Sequence, residues 1–89
     1  MDKIFKLTVR SREGVVFEGD VNSITSFNDK GIFDVLAMHA NFITLIKNKL
    51  TVRDTQGKIK DIEVKNGLMR VRDNIVEVYL GVEEFKVGY

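Results

Sequence analysis

Gly31-Ile32-Phe33-Asp34-Val35-Leu36-Ala37-Met38-His39-Ala40-Asn41-Phe42-Ile43-Thr44-Leu45-Ile46-Lys47 is the stretch on which the fold turns. Its residues allow two readings. Asp34 can cap a helix that runs through Val35 to Ala40, and Phe42, Leu45 and Ile46 fit helical spacing. Read as extended chain, Ile32 to Leu36 is one short strand and Phe42 to Ile46 another. The second is then apolar on both faces apart from Thr44, which suits a strand buried between layers. Periodicity does not choose between the two.

The flanking sequence is less ambiguous. Over residues 4–10, Phe5, Leu7 and Val9 alternate with Lys6, Thr8 and Arg10, the period of a half-buried strand. Further short apolar runs cover Val15–Gly19, Val21–Phe27, Leu50–Asp54, Ile59–Val64, Leu68–Arg72 and Ile75–Leu80. Turn sequences separate them: Ser11 to Gly14, Asn28-Asp29-Lys30-Gly31, Thr55-Gln56-Gly57, Asn66-Gly67 and Asp73-Asn74. Asp73 and Asn74 tolerate positive φ and suit a tight hairpin. Eight or nine short strands at this spacing predict an all-β antiparallel sandwich or barrel.

Composition sets the remaining bounds. The 89 residues predict one domain, 1–89, and its 44% apolar and 30% charged residues are ordinary for a globular chain. A net charge of +1 gives no field to gather nucleic acid or anionic lipid. With no cysteine there is no disulfide, thiolate metal site or cysteine nucleophile, and the single histidine, His39, rules out a metal site built on several imidazoles. No apolar run reaches the ~20 residues of a membrane span. The start, Met1-Asp2-Lys3-Ile4, is no secretory signal, so the default expectation is a cytoplasmic protein that binds rather than catalyses.

A search for chemistry agrees. The carboxylates are scattered beside turns, and the one adjacent acidic pair, Glu83-Glu84, lies near the end. None of Ser11, Ser23 and Ser26 sits in a nucleophile elbow that could use His39 as base. No phosphate-binding loop is present. Asp54-Thr55-Gln56-Gly57 places its glycine wrongly for a calcium loop and reads as a hairpin turn. Lys47, Lys49, Arg53, Lys58, Lys60 and Lys65 form a mildly basic stretch, but no aromatic residue within it could stack on a base. His39, in an apolar setting, reads as a structural histidine bonded to nearby backbone.

The order of segments resembles the N-terminal domain of the ε subunit of F-type ATP synthases. Leu7-Thr8-Val9-Arg10-Ser11, Val16-Phe17-Glu18-Gly19-Asp20-Val21 and Ile24 are similar to its opening. Gly31 to Ala40 resembles its signature loop, Ile43 to Lys47 the strand after it, and Asn66 to Val71 with Asn74 to Val78 the closing hairpin. Asp34, Ala37 and Met38 stand where the family usually has glycine, proline, and glycine or asparagine. Asn41 and Asn48 replace common prolines, and Lys49 a common glycine. Residues 36–41 thus lack the backbone constraint that proline and glycine would supply.

The resemblance implies strand, loop, strand for the ambiguous stretch, within a ten-stranded antiparallel β-sandwich. It implies a non-catalytic rotor subunit of the central stalk in a proton-translocating F-type ATP synthase. Its partners would be the γ subunit and the c-ring, with no cofactor, metal, nucleic acid or transmembrane segment. Membrane association would be peripheral, on the cytoplasmic face and only through the c-ring. By position, Asp29, Lys30, Gly31, Ile32, His39 and Asn41 become candidate contacts with γ and the ring. Ile32 falls where many members carry an acidic residue, so apolar packing would replace an ion pair. The family's C-terminal helical hairpin has no counterpart in the nine residues after Leu80. Neither ATP binding nor inhibition by a helical arm is therefore expected, and those nine residues would form at most one short strand or a frayed tail. The competing expectation is an autonomous β-sandwich or barrel module for oligosaccharide or oligonucleotide, which needs several aromatics exposed on a concave face.

Overall fold

The computed structural model describes residues 3–81. The expected tail after Gly81, the Glu83-Glu84 pair, Phe85 and Tyr89 lie outside them. Six strands make up the described chain: β1 (Phe5–Ser11), β2 (Gly14–Asn28), β3 (Gly31–Leu36), β4 (Phe42–Asp54), β5 (Ile59–Arg72) and β6 (Ile75–Leu80). They form one sheet in the order β1-β6-β5-β4-β2-β3, with β1 also paired to β2. The ring from β1 through β6, β5, β4 and β2 thus closes on itself, a barrel by pairing and a two-walled sandwich by packing.

The expected ten strands become six for a physical reason. Val15–Gly19 and Val21–Phe27 are two halves of β2, and Phe42–Ile46 and Leu50–Asp54 two halves of β4. Ile59–Val64 and Leu68–Arg72 likewise join as β5. Bulges, not turns, link these halves. Register slips between Val21 and Ser23, between Thr25 and Phe27, and between Ile46 and Asn48 bend the strands without ending them. Asn66-Gly67, which reads as a turn, lies inside β5. Gly67 is needed there for close approach. A Cβ on it would sit 3.1 Å from the Tyr79 carbonyl oxygen and 3.3 Å from Ile46 Cγ1.

The expectation of purely antiparallel pairing also fails at one place. β1 and β6 run parallel, Lys6 to Arg10 alongside Ile75 to Tyr79. A short hairpin forces antiparallel pairing only on consecutive strands, and these two are joined through the rest of the chain.

Each wall contributes alternate residues to one core. Phe5, Leu7, Val9, Met69, Val71, Val76 and Val78 come from β1, the second half of β5 and β6. Ile24, Val35, Leu50, Val52, Ile62 and Val64 come from β2, β3, the second half of β4 and the first half of β5. Burying a Val, Leu or Ile side chain contributes roughly 1.5–3 kcal/mol, so this cluster dominates the favourable side of folding. Ser26, fully buried, donates its hydroxyl to the Lys49 carbonyl at 2.8 Å and satisfies the backbone at the β2–β4 bulge.

The stretch 31–47 is strand, loop, strand. The helix permitted by propensity loses because Val35 and Ile46 reach the core only as extended chain.

Candidate functional site

The candidate contact residues fall into two groups flanking the first half of β4. Asp29, Lys30, Gly31 and Ile32 form the β2–β3 turn and the start of β3. The Asn28 side-chain oxygen accepts from the Lys30 amide at 2.8 Å, and Gly31 has φ of 118°, which a Cβ would oppose. The Lys47 ammonium lies 3.7 Å from Asp29, and the Asn28 side-chain amide donates to the Thr44 hydroxyl at 3.2 Å. These contacts hold the turn beside β4. Between them, Asn28, Asp29 and Lys30 on one side and Phe42, Ile43, Thr44 and Leu45 on the other line an open groove of about 460 Å³.

His39 and Asn41 lie in the β3–β4 loop, residues 37–41, at the other end of β3. The His39 ring nitrogen Nδ1 is 2.8 Å from the Ala40 carbonyl oxygen. A carbonyl only accepts, so Nδ1 carries the proton. The ring also lies 5.0 Å from that of Phe42, which meets Phe33 edge-on at 6.0 Å. The structural reading of His39, bonded to adjacent backbone, matches this geometry. Asn41 accepts from the Asp73 amide at 2.9 Å, and Asn74 accepts from the Met38 amide at 2.7 Å. The loop is thereby tied to the β5–β6 hairpin. Sequence reading did not find Asn74 as an anchor, because its partners lie 36 and 70 residues away.

Apolar exposure marks the same region. Nine large hydrophobic residues are exposed among the described residues, and five of them fall between positions 32 and 45: Ile32, Leu36, Met38, Ile43 and Leu45. Their exposures run from 59% to 78%.

Chemistry finds less to work with. Ser11 bonds Glu13, Ser26 bonds the Lys49 carbonyl, and Ser23 accepts from Arg53, while the His39 ring meets Ala40 and Phe42. No group of three or more potential metal ligands occurs among the described residues. Several basic side chains of residues 47–65 have local partners. Lys49 lies 3.9 Å from Asp61, Arg53 donates to Thr25, and Lys60 sits over the Phe17 ring. No Phe or Tyr is exposed among the described residues, so the several exposed aromatics required by the competing module are missing from them. Nor is any helix of the described chain long and apolar enough to cross a membrane.

Comparison with known proteins adds the following. Residues 4–83 match the family described as ATP synthase, Delta/Epsilon chain, beta-sandwich domain. An ATP synthase epsilon chain from a Nitratiruptor species is 34% identical over 70 residues, 78% of this chain and 54% of that one. One from Clostridium perfringens is 34% identical over 73 residues, 81% of this chain and 55% of that one. The chain thus spans about half the length of these relatives. In fold it is similar to a chain of the Euglena gracilis mitochondrial ATP synthase, solved as OSCP/F1/c-ring. The TM-score is 0.82 at 22% identity, covering 90% of this chain and 52% of that one. A chain of the Tetrahymena thermophila mitochondrial ATP synthase central stalk and c-ring gives 0.73 at 16% identity, covering 84% and 61%.

Proposed function

The chain belongs to the ATP synthase delta/epsilon β-sandwich family, and from that membership we propose that it forms the foot of the central stalk in a proton-translocating F-type ATP synthase. In this role it is a non-catalytic rotor component that joins a γ-type subunit to the c-ring and turns with both. Torque passes through packed side chains, so the work asks for rigidity and adhesive surface, not for a nucleophile, metal or cofactor. The association with the membrane is peripheral, through the polar loops of the c-ring on the cytoplasmic face.

The observation that carries this reading is the frequency of exposed apolar side chains in the segment between Ile32 and Leu45. A monomer gains nothing from leaving them in water, whereas a stalk subunit covers them on assembly. The two groups of candidate contacts lie in or directly beside this segment. Asp29, Lys30, Gly31 and Ile32 offer a turn with one charge of each sign and an apolar tip, Ile32 being 67% exposed. His39 and Asn41 offer a loop braced from behind by Asp73 and Asn74.

The chain contains no cysteine, which makes a direct test simple. Single variants Ile32→Cys and His39→Cys are assembled with cognate γ and c subunits that carry single cysteines in their exposed loops, then mildly oxidised. The proposal expects a disulfide adduct from each variant with γ or c. A Glu63→Cys control, exposed on the first half of β5, should give neither. Absence of adducts from both Ile32→Cys and His39→Cys in an assembled enzyme contradicts the assignment.

A further inference from the structure

Asn74, in the β5–β6 hairpin, stands where three segments of the chain meet. Its side-chain oxygen accepts from the Met38 amide at 2.7 Å, in the β3–β4 loop. Its side-chain nitrogen donates to the Ile4 carbonyl at 3.0 Å, just before β1. Its own carbonyl accepts from the Lys6 amide at 3.4 Å. The two side-chain partners have fixed roles, an N–H that only donates and a C=O that only accepts, so one orientation of the amide serves both. At φ of 65° the position also selects residues that tolerate the left-handed region. Glycine tolerates it and supplies neither bond. Ionised aspartate tolerates it and accepts, but has nothing to donate. Asparagine meets all three demands.

The bond to Met38 falls where the loop is hardest to hold. Residues 37–41 contain neither proline nor glycine. The His39 amide donates to the Leu36 carbonyl at 3.2 Å, which makes 36–39 a β-turn with Met38 in its third position. Met38 has φ of 64° while Ala37 stays out of the positive region, the pattern of a type II turn. The third position of that turn asks for glycine or asparagine, and a methionine leaves it unless something outside the turn holds it there. Asn74 holds the Met38 amide, and the Asp73 amide holds the far end of the loop through the Asn41 side-chain oxygen at 2.9 Å. His39, exposed and the last residue of the turn, goes wherever Met38 directs it.

We propose that Asn74 is a positioning residue for binding: through the Met38 amide it fixes the turn that presents His39 to the partner. Pre-forming the turn in the free chain removes an ordering cost that binding would otherwise carry, so losing it weakens the complex without removing any contact residue. The same side chain seats the start of β1 through Ile4, which anchors the hold to the body of the sandwich. The proposal rests on the stalk reading for the partner that the loop meets, a γ-type subunit, whereas the hold on the turn belongs to the free chain.

The test compares Asn74→Gly and Asn74→Asp with the parent chain. Asn74→Gly leaves an aspartate–glycine pair that suits the hairpin and removes both side-chain bonds. Asn74→Asp keeps the acceptor for Met38 and loses only the donation to Ile4. The His39 amide reports on the turn, because neither variant touches its own bond to Leu36. In the free chain it should exchange about tenfold faster in Asn74→Gly and close to the parent rate in Asn74→Asp. Affinity is read by competition between tagged parent and untagged variant for limiting co-expressed cognate γ. It should fall about fivefold or more in Asn74→Gly and largely recover in Asn74→Asp, following the His39 amide and not the thermal midpoint. Parent-like exchange of the His39 amide in Asn74→Gly overturns the hold on the turn. Faster exchange with parent-like affinity, or equal losses of affinity in both variants, overturns the positioning role and leaves the stalk reading intact. A parent chain that forms no complex with γ overturns the stalk reading and the role in binding with it.

Discussion

Met38 has φ of 64°, a conformation in which a Cβ crowds the following carbonyl at a cost of roughly 1–2 kcal/mol. Its side chain is 78% exposed and offers little packing in return. Glycine would remove the clash and lose about 0.5–1 kcal/mol to its greater freedom in the unfolded chain. Met38→Gly should therefore stabilise the protein by about 0.5–1 kcal/mol, seen as a thermal midpoint raised by a few degrees. A lowered midpoint would mean that the methionine side chain packs more than its exposure implies. The Met38 amide keeps its bond to Asn74 in either case. Asn48, at φ of 76°, stands where the family resemblance places a common proline, and here proline's fixed φ is excluded. Asp73 and Asn74, at 54° and 65°, form the tight two-residue hairpin their sequence announces. That turn was legible because its chemistry is local. The bracing of loop 37–41 by Asn74 was not, because it joins residues distant in sequence.

At the level of elements, the long strands β2, β4 and β5 give the sandwich its continuity, and Gly67 shows how a bend differs from a turn. With backbone oxygen and Ile46 packed against the place a Cβ would occupy, neither neighbour can yield easily. Gly67→Ala should destabilise by about 1–3 kcal/mol in denaturant titration. Gly19→Ala serves as the comparison, since its nearest contact would be an unstrained 3.8 Å to the Phe17 ring. It should change stability by less than about 1 kcal/mol. Equal losses at the two sites would refute the role given to close packing at Gly67. The nine apolar runs were readable from alternation, and their merger into six strands was not. Whether Asn66-Gly67 ends a strand or bends one is decided by pairing with Ile46 and Leu80, contacts that no local pattern records. The stretch 31–47 makes the same point. Its strand, loop, strand character came from resemblance, and core contacts of Val35 and Ile46 account for it.

For the molecule as a whole, the strands close into a ring, and five of the nine large apolar residues exposed among those described fall between Ile32 and Leu45 in sequence. The sequence displayed these exposures only in part. Ile32, His39 and Asn41 could be singled out by position, but the exposure of Leu36, Met38, Ile43 and Leu45 depends on which strand ends lack a neighbour. As the foot of a rotor stalk, this chain would bind a γ-type subunit. Co-expression with the cognate γ followed by size-exclusion chromatography with light scattering tests it most directly. A single one-to-one complex that stays together at micromolar concentration is expected; separate elution of the two proteins under those conditions would rule out the stalk assignment.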